Sequence, residues 1–148
     1  MRVRTEIEYA LRCLILLAHS QRNAERAEGP GARAKPISVG TMAKRERLSR
    51  DYVEQIFLRM RRGGLVKSVR GVQGGYLLKL SPEDIDVSDV YEALYGSVLE
   101  NPCNQMKSEC KHTPARCRMY SMWNDLEHHL SMQMSRWTLQ RLAEGEGE

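Results

Sequence analysis

Residues 48–78 read "LSRDYVEQIFLRMRRGGLVKSVRGVQGGYLL". Ser49 is a preferred N-cap residue, and Tyr52, Val53, Ile56, Phe57 and Met60 follow it at helical spacing until Gly63 and Gly64 stop the pattern. The spacing therefore predicts a helix beginning at Ser49. Beyond it, "LVKSVR" and "GYLLKL" are two short β-prone runs around the glycine-rich "GVQGG", which predicts a β-hairpin. Upstream, a short helix is expected from about Ser38 to Arg45, with a brief turn through "ERLS". Helix, tight turn, helix, hairpin is the plan of a winged helix-turn-helix, whose second helix enters the DNA major groove while the wing meets the backbone or minor groove.

Working outward, Thr5 and Glu8 are placed as the two halves of a capping box. Ile7, Ala10, Leu11, Leu14, Leu17 and Ala18 then form an apolar stripe expected to end near Ser20. Residues 21–36 are polar and lack apolar periodicity, and read as a mobile surface loop. A further short helix is expected from Ser88 to Leu94, closed by Gly96. From Met119 onward, Met119, Trp123, Leu126, Leu130, Met134 and Trp137 form a helical seam suited to a partner, including a second copy of the chain. The expected fold is mostly α with a small β-hairpin wing. A winged helix-turn-helix domain would cover 1–96, a cysteine loop 97–118, a long C-terminal dimerisation helix 119–142 and a frayed tail 143–148.

The 148 residues are 41% hydrophobic and 6% aromatic with a single Phe, which favours one small helical domain over a large aromatic-rich β-sandwich. The net charge of +4 is unevenly spread. Between Lys44 and Lys79 ten basic residues face three acids, a local charge of +7, whereas Ser81 to Pro102 holds six acids and no Lys or Arg. Such segregation suits a face that meets a polyanion. Glu6, Glu8 and Arg12 interrupt the N-terminal apolar run, so it does not read as a signal peptide, and no stretch approaches the ~20 apolar residues of a membrane span. A cytoplasmic, reducing location is expected, with no membrane partner; there, clustered cysteines serve as metal ligands or redox sensors more often than as disulfides.

The residue types suit DNA. Gln55 can read an adenine edge and Glu54 can accept from a cytosine amino group, while Arg50 and Arg59 can pair with phosphate or guanine. Arg70 stands at the wing base beside Gly71, Gly74 and Gly75, which permit close backbone approach to a narrow minor groove. The plainer reading of Arg59, Arg61 and Arg62 is a solvated helix end favoured by the macrodipole. Cys103, Cys110 and Cys117 lie with six residues between each consecutive pair. Three thiolates in one loop suit iron-sulfur or zinc chemistry and leave one coordination position, which His112 could fill in a Cys3His zinc site. Cys13 reads as a buried apolar residue. No nucleophile-base pairing, phosphate loop or paired carboxylates mark a catalytic site, so no enzyme activity is expected.

With "YALRCLILLA" at 9–18 and "DVYEAL" at 89–94, the quoted stretch resembles the Rrf-two family of bacterial winged-helix regulators, along nearly the whole chain. The resemblance implies a homodimer joined by the C-terminal helix and bound to a palindromic double-stranded DNA operator. It puts Asp51, Tyr52, Glu54 and Gln55, just after Ser49 and Arg50, on the DNA-reading helix, and Arg70 in the minor groove. It also implies an iron-sulfur cluster, 4Fe-4S or 2Fe-2S, on Cys103, Cys110 and Cys117. In some members the fourth ligand is a histidine shortly after the last cysteine, where this chain has Tyr120. In others it is an acidic residue of the partner's first helix, where this chain has Glu8. The implied activity is that of a repressor sensing nitric oxide, redox or iron status. Two alternatives stay open: a metal-free thiol switch beside Lys107, Lys111 and Arg116, and a small iron-sulfur electron carrier, which would leave the wing and Gln55 unexplained. One departure is that the 21–36 stretch is several residues longer than the family usually carries, and would bring Arg22, Arg26, Arg33 and Lys35 beside flanking DNA.

Overall fold

The computed structural model describes residues 5–99, 103 and 117–145. Helix α1 runs from Thr5 to Glu28, with Ile7, Ala10, Cys13, Leu14, Leu17 and Ala18 buried along it. It does not stop near Ser20, and residues 21–28 are not a loop. Gln, Arg, Ala and Glu are good helix formers, and neither Gly nor Pro intervenes before Gly29. Gln21 bonds Glu25 at 3.3 Å and Arg22 bonds His19 at 2.9 Å. The helix then closes where Gly29, with φ of 98°, donates its N–H to the Glu25 carbonyl at 2.9 Å. The Glu8 carboxylate, expected to fold back on Thr5, accepts from the Arg12 guanidinium at 3.1 and 3.2 Å.

Helices α2 (Val39–Glu46) and α3 (Arg50–Arg62) are both capped by serine. Ser38 Oγ accepts from the Thr41 N–H at 3.1 Å, and Ser49 Oγ accepts from the Tyr52 N–H at 3.2 Å. Between them, Arg47 adopts a left-handed φ of 57°, which makes the turn tight enough to cross the two helices. Strands β1 (Val66–Val69) and β2 (Gly75–Leu78) pair antiparallel with Val66 opposite Leu78 and Val69 opposite Gly75. Ile37 pairs with the other edge of β2 as a single bridge, exchanging backbone bonds with Tyr76 at 2.9 and 3.1 Å. A Cβ on residue 75 would lie 2.2 Å from the Ile37 carbonyl oxygen, so this approach requires Gly75.

Phe57, Ile56, Met60, Leu14, Leu17 and Met42 are fully buried where α1, α2, α3 and the hairpin meet. A 3-10 turn at Pro82–Asp84 leads to α4 (Val87–Tyr95), whose cap is Asp86 in a reciprocal pair with Asp89, so the helix starts one residue earlier than the expected Ser88. The C-terminal part is two helices, α5 (Arg118–Met134) and α6 (Leu139–Gly145), not one helix over 119–142. At the break the Leu139 N–H donates to Ile85 at 2.7 Å and the Trp137 carbonyl accepts from Val87 at 3.1 Å. Residues 143–145 of the expected frayed tail are helical, with Ala143 buried beside Leu139; residues 146–148 lie outside the described residues. Burying Leu139, worth roughly 2 kcal/mol, outweighs continuing an exposed helix.

Candidate nucleic-acid interface

The 3.6-residue period of α3 divides its side chains. Val53, Ile56, Phe57 and Met60 go inward, leaving Arg50, Asp51, Glu54 and Gln55 exposed in one row beside the capping Ser49. Arg50 lies against the start of α2, where a Cβ on Gly40 would be 3.7 Å from its Nε and 3.8 Å from Ser38 Oγ. Ser38, Gly40 and Thr41, at the capped start of α2, therefore join this face. The sequence reading assigned them no role; Ser38 followed by Thr41 was the available signal.

Two residues expected on the reading face are engaged elsewhere. Tyr52 is half-buried, its ring edge-on to Tyr9 with centroids 6.3 Å apart. Its hydroxyl pKa is raised, chiefly by burial and then by the neighbouring Glu6 and Tyr9, with Arg59 acting in the opposite sense. Arg59 is ion-paired with Glu6 of α1 and donates to the Leu94 carbonyl of α4 at 3.2 Å. Residues 52 and 59 are two turns apart, so they share one flank, and that flank faces α1 and α4. Arg59 is a strut between three helices.

The wing carries Arg70, exposed, beside Gly71 with φ of 116°. Gly74 donates its N–H to Gly71 at 2.9 Å, and a Cβ there would meet the Val69 carbonyl oxygen at 2.3 Å. The glycines thus permit a tip that larger residues would splay. From Gln55 through Pro82 the chain contains no Asp or Glu, so the hairpin and the C-terminal half of α3 form one positive field.

Among the cysteines, Cys13 is buried on α1, and its thiol is pushed up to about 12 by burial and then by the Glu46 carboxylate. Cys103 and Cys117 are half-buried, while Cys110, His112, Lys107, Lys111 and Arg116 lie outside the described residues. Tyr120 is half-buried in the first turn of α5. Glu8 is exposed and paired to Arg12, whose guanidinium also comes within 3.8 Å of Glu46 at the end of α2. Among the described residues no three His, Cys, Asp or Glu side chains gather closely enough to hold a metal ion, so Glu8, Cys103 and Cys117 of one chain do not make a site together.

Among the described residues, no helix is long and apolar enough to cross a membrane. Residues 3–145 match the Rrf2 family, described as iron-dependent transcriptional regulators. The chain is 35% identical over 144 residues to the HTH-type transcriptional regulator IscR of Serratia proteamaculans, covering 97% of this chain and 79% of that protein. It is 32% identical to IscR of Vibrio cholerae over 143 residues, 96% of this chain and 75% of that one. Among solved structures, T. potens IscR superposes with a TM-score of 0.68 at 26% identity, over 99% of this chain and 89% of that chain. The oxidised form of Staphylococcus aureus CymR does so with 0.64 at 29% identity, over 97% of each. Because the similarity runs from α1 through the wing to α6, the chain belongs to the Rrf2 family and is a winged-helix, DNA-binding regulator of transcription rather than an enzyme.

Proposed function

We propose that the protein is a homodimeric repressor that binds a palindromic operator and responds to nitric oxide, redox or iron status through an iron-sulfur cluster. Cys103, Cys110 and Cys117 of one subunit and Glu8 of the partner subunit would hold it. The observation that carries this reading is the contrast among the thiols: Cys13 is sealed and held protonated, whereas Cys103, between α4 and α5, and Cys117, at the cap of α5, are part-exposed. Cys103 and Cys117, with Cys110 between them in sequence, are a thiol donor set that fits iron, and Glu8, an exposed carboxylate paired only with Arg12 of its own helix among the described residues, would be the ligand offered to another chain. When bound, such a cluster supplies a redox-active centre whose potential follows its ligands and exposure.

The chain's own residues account for the coupling to DNA. Committing Glu8 to a ligand role removes it from Arg12, whose guanidinium also reaches Glu46 of α2. Two residues nearer the N-terminus, Glu6 holds Arg59 of α3, so a shift of this end of α1 is felt by both helices of the DNA-binding pair. Gln55 and Glu54 read base edges, Arg50 with Ser38 and Gly40 fixes the backbone, and Arg70 enters the minor groove. The exposed Met119, Met122 and Leu126 of α5 supply the apolar face for the second subunit.

A second reading is a metal-free thiol switch, favoured by the similarity to the oxidised form of S. aureus CymR. Anaerobic purification with an absorption spectrum and iron and sulfide analysis separates the two. The cluster reading expects a coloured protein with iron and sulfide, and loss of switchable operator binding in Glu8→Ala. A colourless protein with stoichiometric zinc would sink it. A metal-free protein whose DNA binding toggles with reversible thiol oxidation would establish the second reading instead.

A further inference from the structure

We infer that Arg33 and Lys35, with Arg45 of α2 and Lys67 and Lys79 of the hairpin, form a second DNA-contacting surface that grips phosphates flanking each half-site. This deepens the DNA-binding reading and rests on it. From Gly29 through Arg45 the chain carries Arg33, Lys35, Lys44 and Arg45 and no acid. The segment is strapped in place: Ser20 Oγ donates to the Lys35 carbonyl at 3.1 Å, and Ile37 is bonded to Tyr76 of the wing. It separates two open clefts. One, of about 630 Å³, is lined by His19, Arg33, Lys35 and Arg45 with Glu28 as its lone acid; the other, of about 580 Å³, is lined by Arg33, Lys67 and Lys79 with none.

All five Arg and Lys side chains are exposed, so they are separate point charges spread over a surface rather than a closed cage for one small anion. That spacing suits the repeated charge of a nucleic-acid backbone. The row is also continuous with the wing, since Ile37 sits beside Gly75 at its tip end. Arg33 lies four residues back, roughly 13 Å along an extended chain at ~3.3 Å per residue, about one major-groove width. Because the segment is already bonded to α1 and β2, contact costs little extra ordering. Arg22 lines neither basic cleft but a separate one, with Glu25, Glu83 and Glu144, and Arg26 stands on α1 between Glu25 and Glu28, lining neither basic cleft.

The test uses the full chain and a palindrome that it selects from a random duplex pool. The palindrome is synthesised either blunt at the half-site boundary or extended by about eight base pairs on each side. Wild type is expected to bind the extended duplex about ten-fold more tightly, with a steeper salt dependence. Arg33→Ala/Lys35→Ala, with Arg45, Lys67 and Lys79 still in place, should lose most of the length preference, its salt slope on the extended duplex reduced by roughly 0.9 per lost phosphate contact. The charge-conserving Arg33→Lys and the control Arg22→Ala should each keep the length preference. No length preference in wild type, or an equal loss on both duplexes in the double variant, would overturn the inference while leaving the DNA-binding reading intact. Failure of wild type to select any palindrome would overturn both.

Discussion

Gln55 and Arg59 stand one turn apart on α3, and the difference between them is which neighbours lie within reach. Gln55 is exposed, so Gln55→Ala is expected to change folding stability by less than about 0.5 kcal/mol while costing roughly 1–3 kcal/mol of discrimination at one base pair, read by competition binding against single-base variants. Arg59 bridges Glu6 and the Leu94 carbonyl. Its charged, half-buried bonds are the kind worth about 1.5–3 kcal/mol, so Arg59→Ala is expected to lower stability by about 2 kcal/mol in urea unfolding. Cys13 makes the same point for thiols. Sealed by α1 and held protonated, it should resist iodoacetamide in the folded protein while the loop cysteines of the metal-free form are alkylated, as peptide mass analysis would show. Cys13 was legible as a core residue because its neighbours on the apolar stripe surround it in sequence. Arg59 was not, because Glu6 is 53 residues away.

At the scale of elements, caps were the readable signals and their absence misled. Ser49, Ser38 and the glycines of the hairpin act within a few residues of themselves, so α2, α3 and the wing lie close to where their residues place them. The extension of α1 to Glu28 was hidden because a polar helix segment has no apolar period to reveal it. The break after Met134 had a signal in Thr138, whose Oγ1 accepts from the Arg141 N–H at 3.2 Å, but an apolar seam running through Trp137 masked it. Truncation after Met134 would remove Leu139 and Ala143 from their seat on α1, and is expected to cost at least about 2–3 kcal/mol, seen as a large fall in the thermal midpoint.

For the whole molecule, α5 has no buried residue within one chain, yet Met119, Met122 and Leu126 stand exposed along it. If that face joins two subunits, Leu126→Glu should leave the monomer folded, halve the native mass and weaken binding to the palindrome about a hundred-fold or more, because two linked half-site readers become separate ones. A variant that stays dimeric would place the interface elsewhere. The seam behind this expectation was visible in the residue order, but Leu130 and Met134 turn out to pack on the core of the same chain, dividing its duties. Period, caps, glycines and the segregation of charge were sufficient for the winged-helix plan, since each acts over one turn, one hairpin or the net field of a segment. The direction in which Arg59 and Tyr52 face, the fold-back of α6 onto α1 and the placing of Arg33 and Lys35 beside the wing came only from the packed chain. Those depend on partners distant in sequence, and apolar burial must first bring the partners together before a hydrogen bond or charge can choose between them.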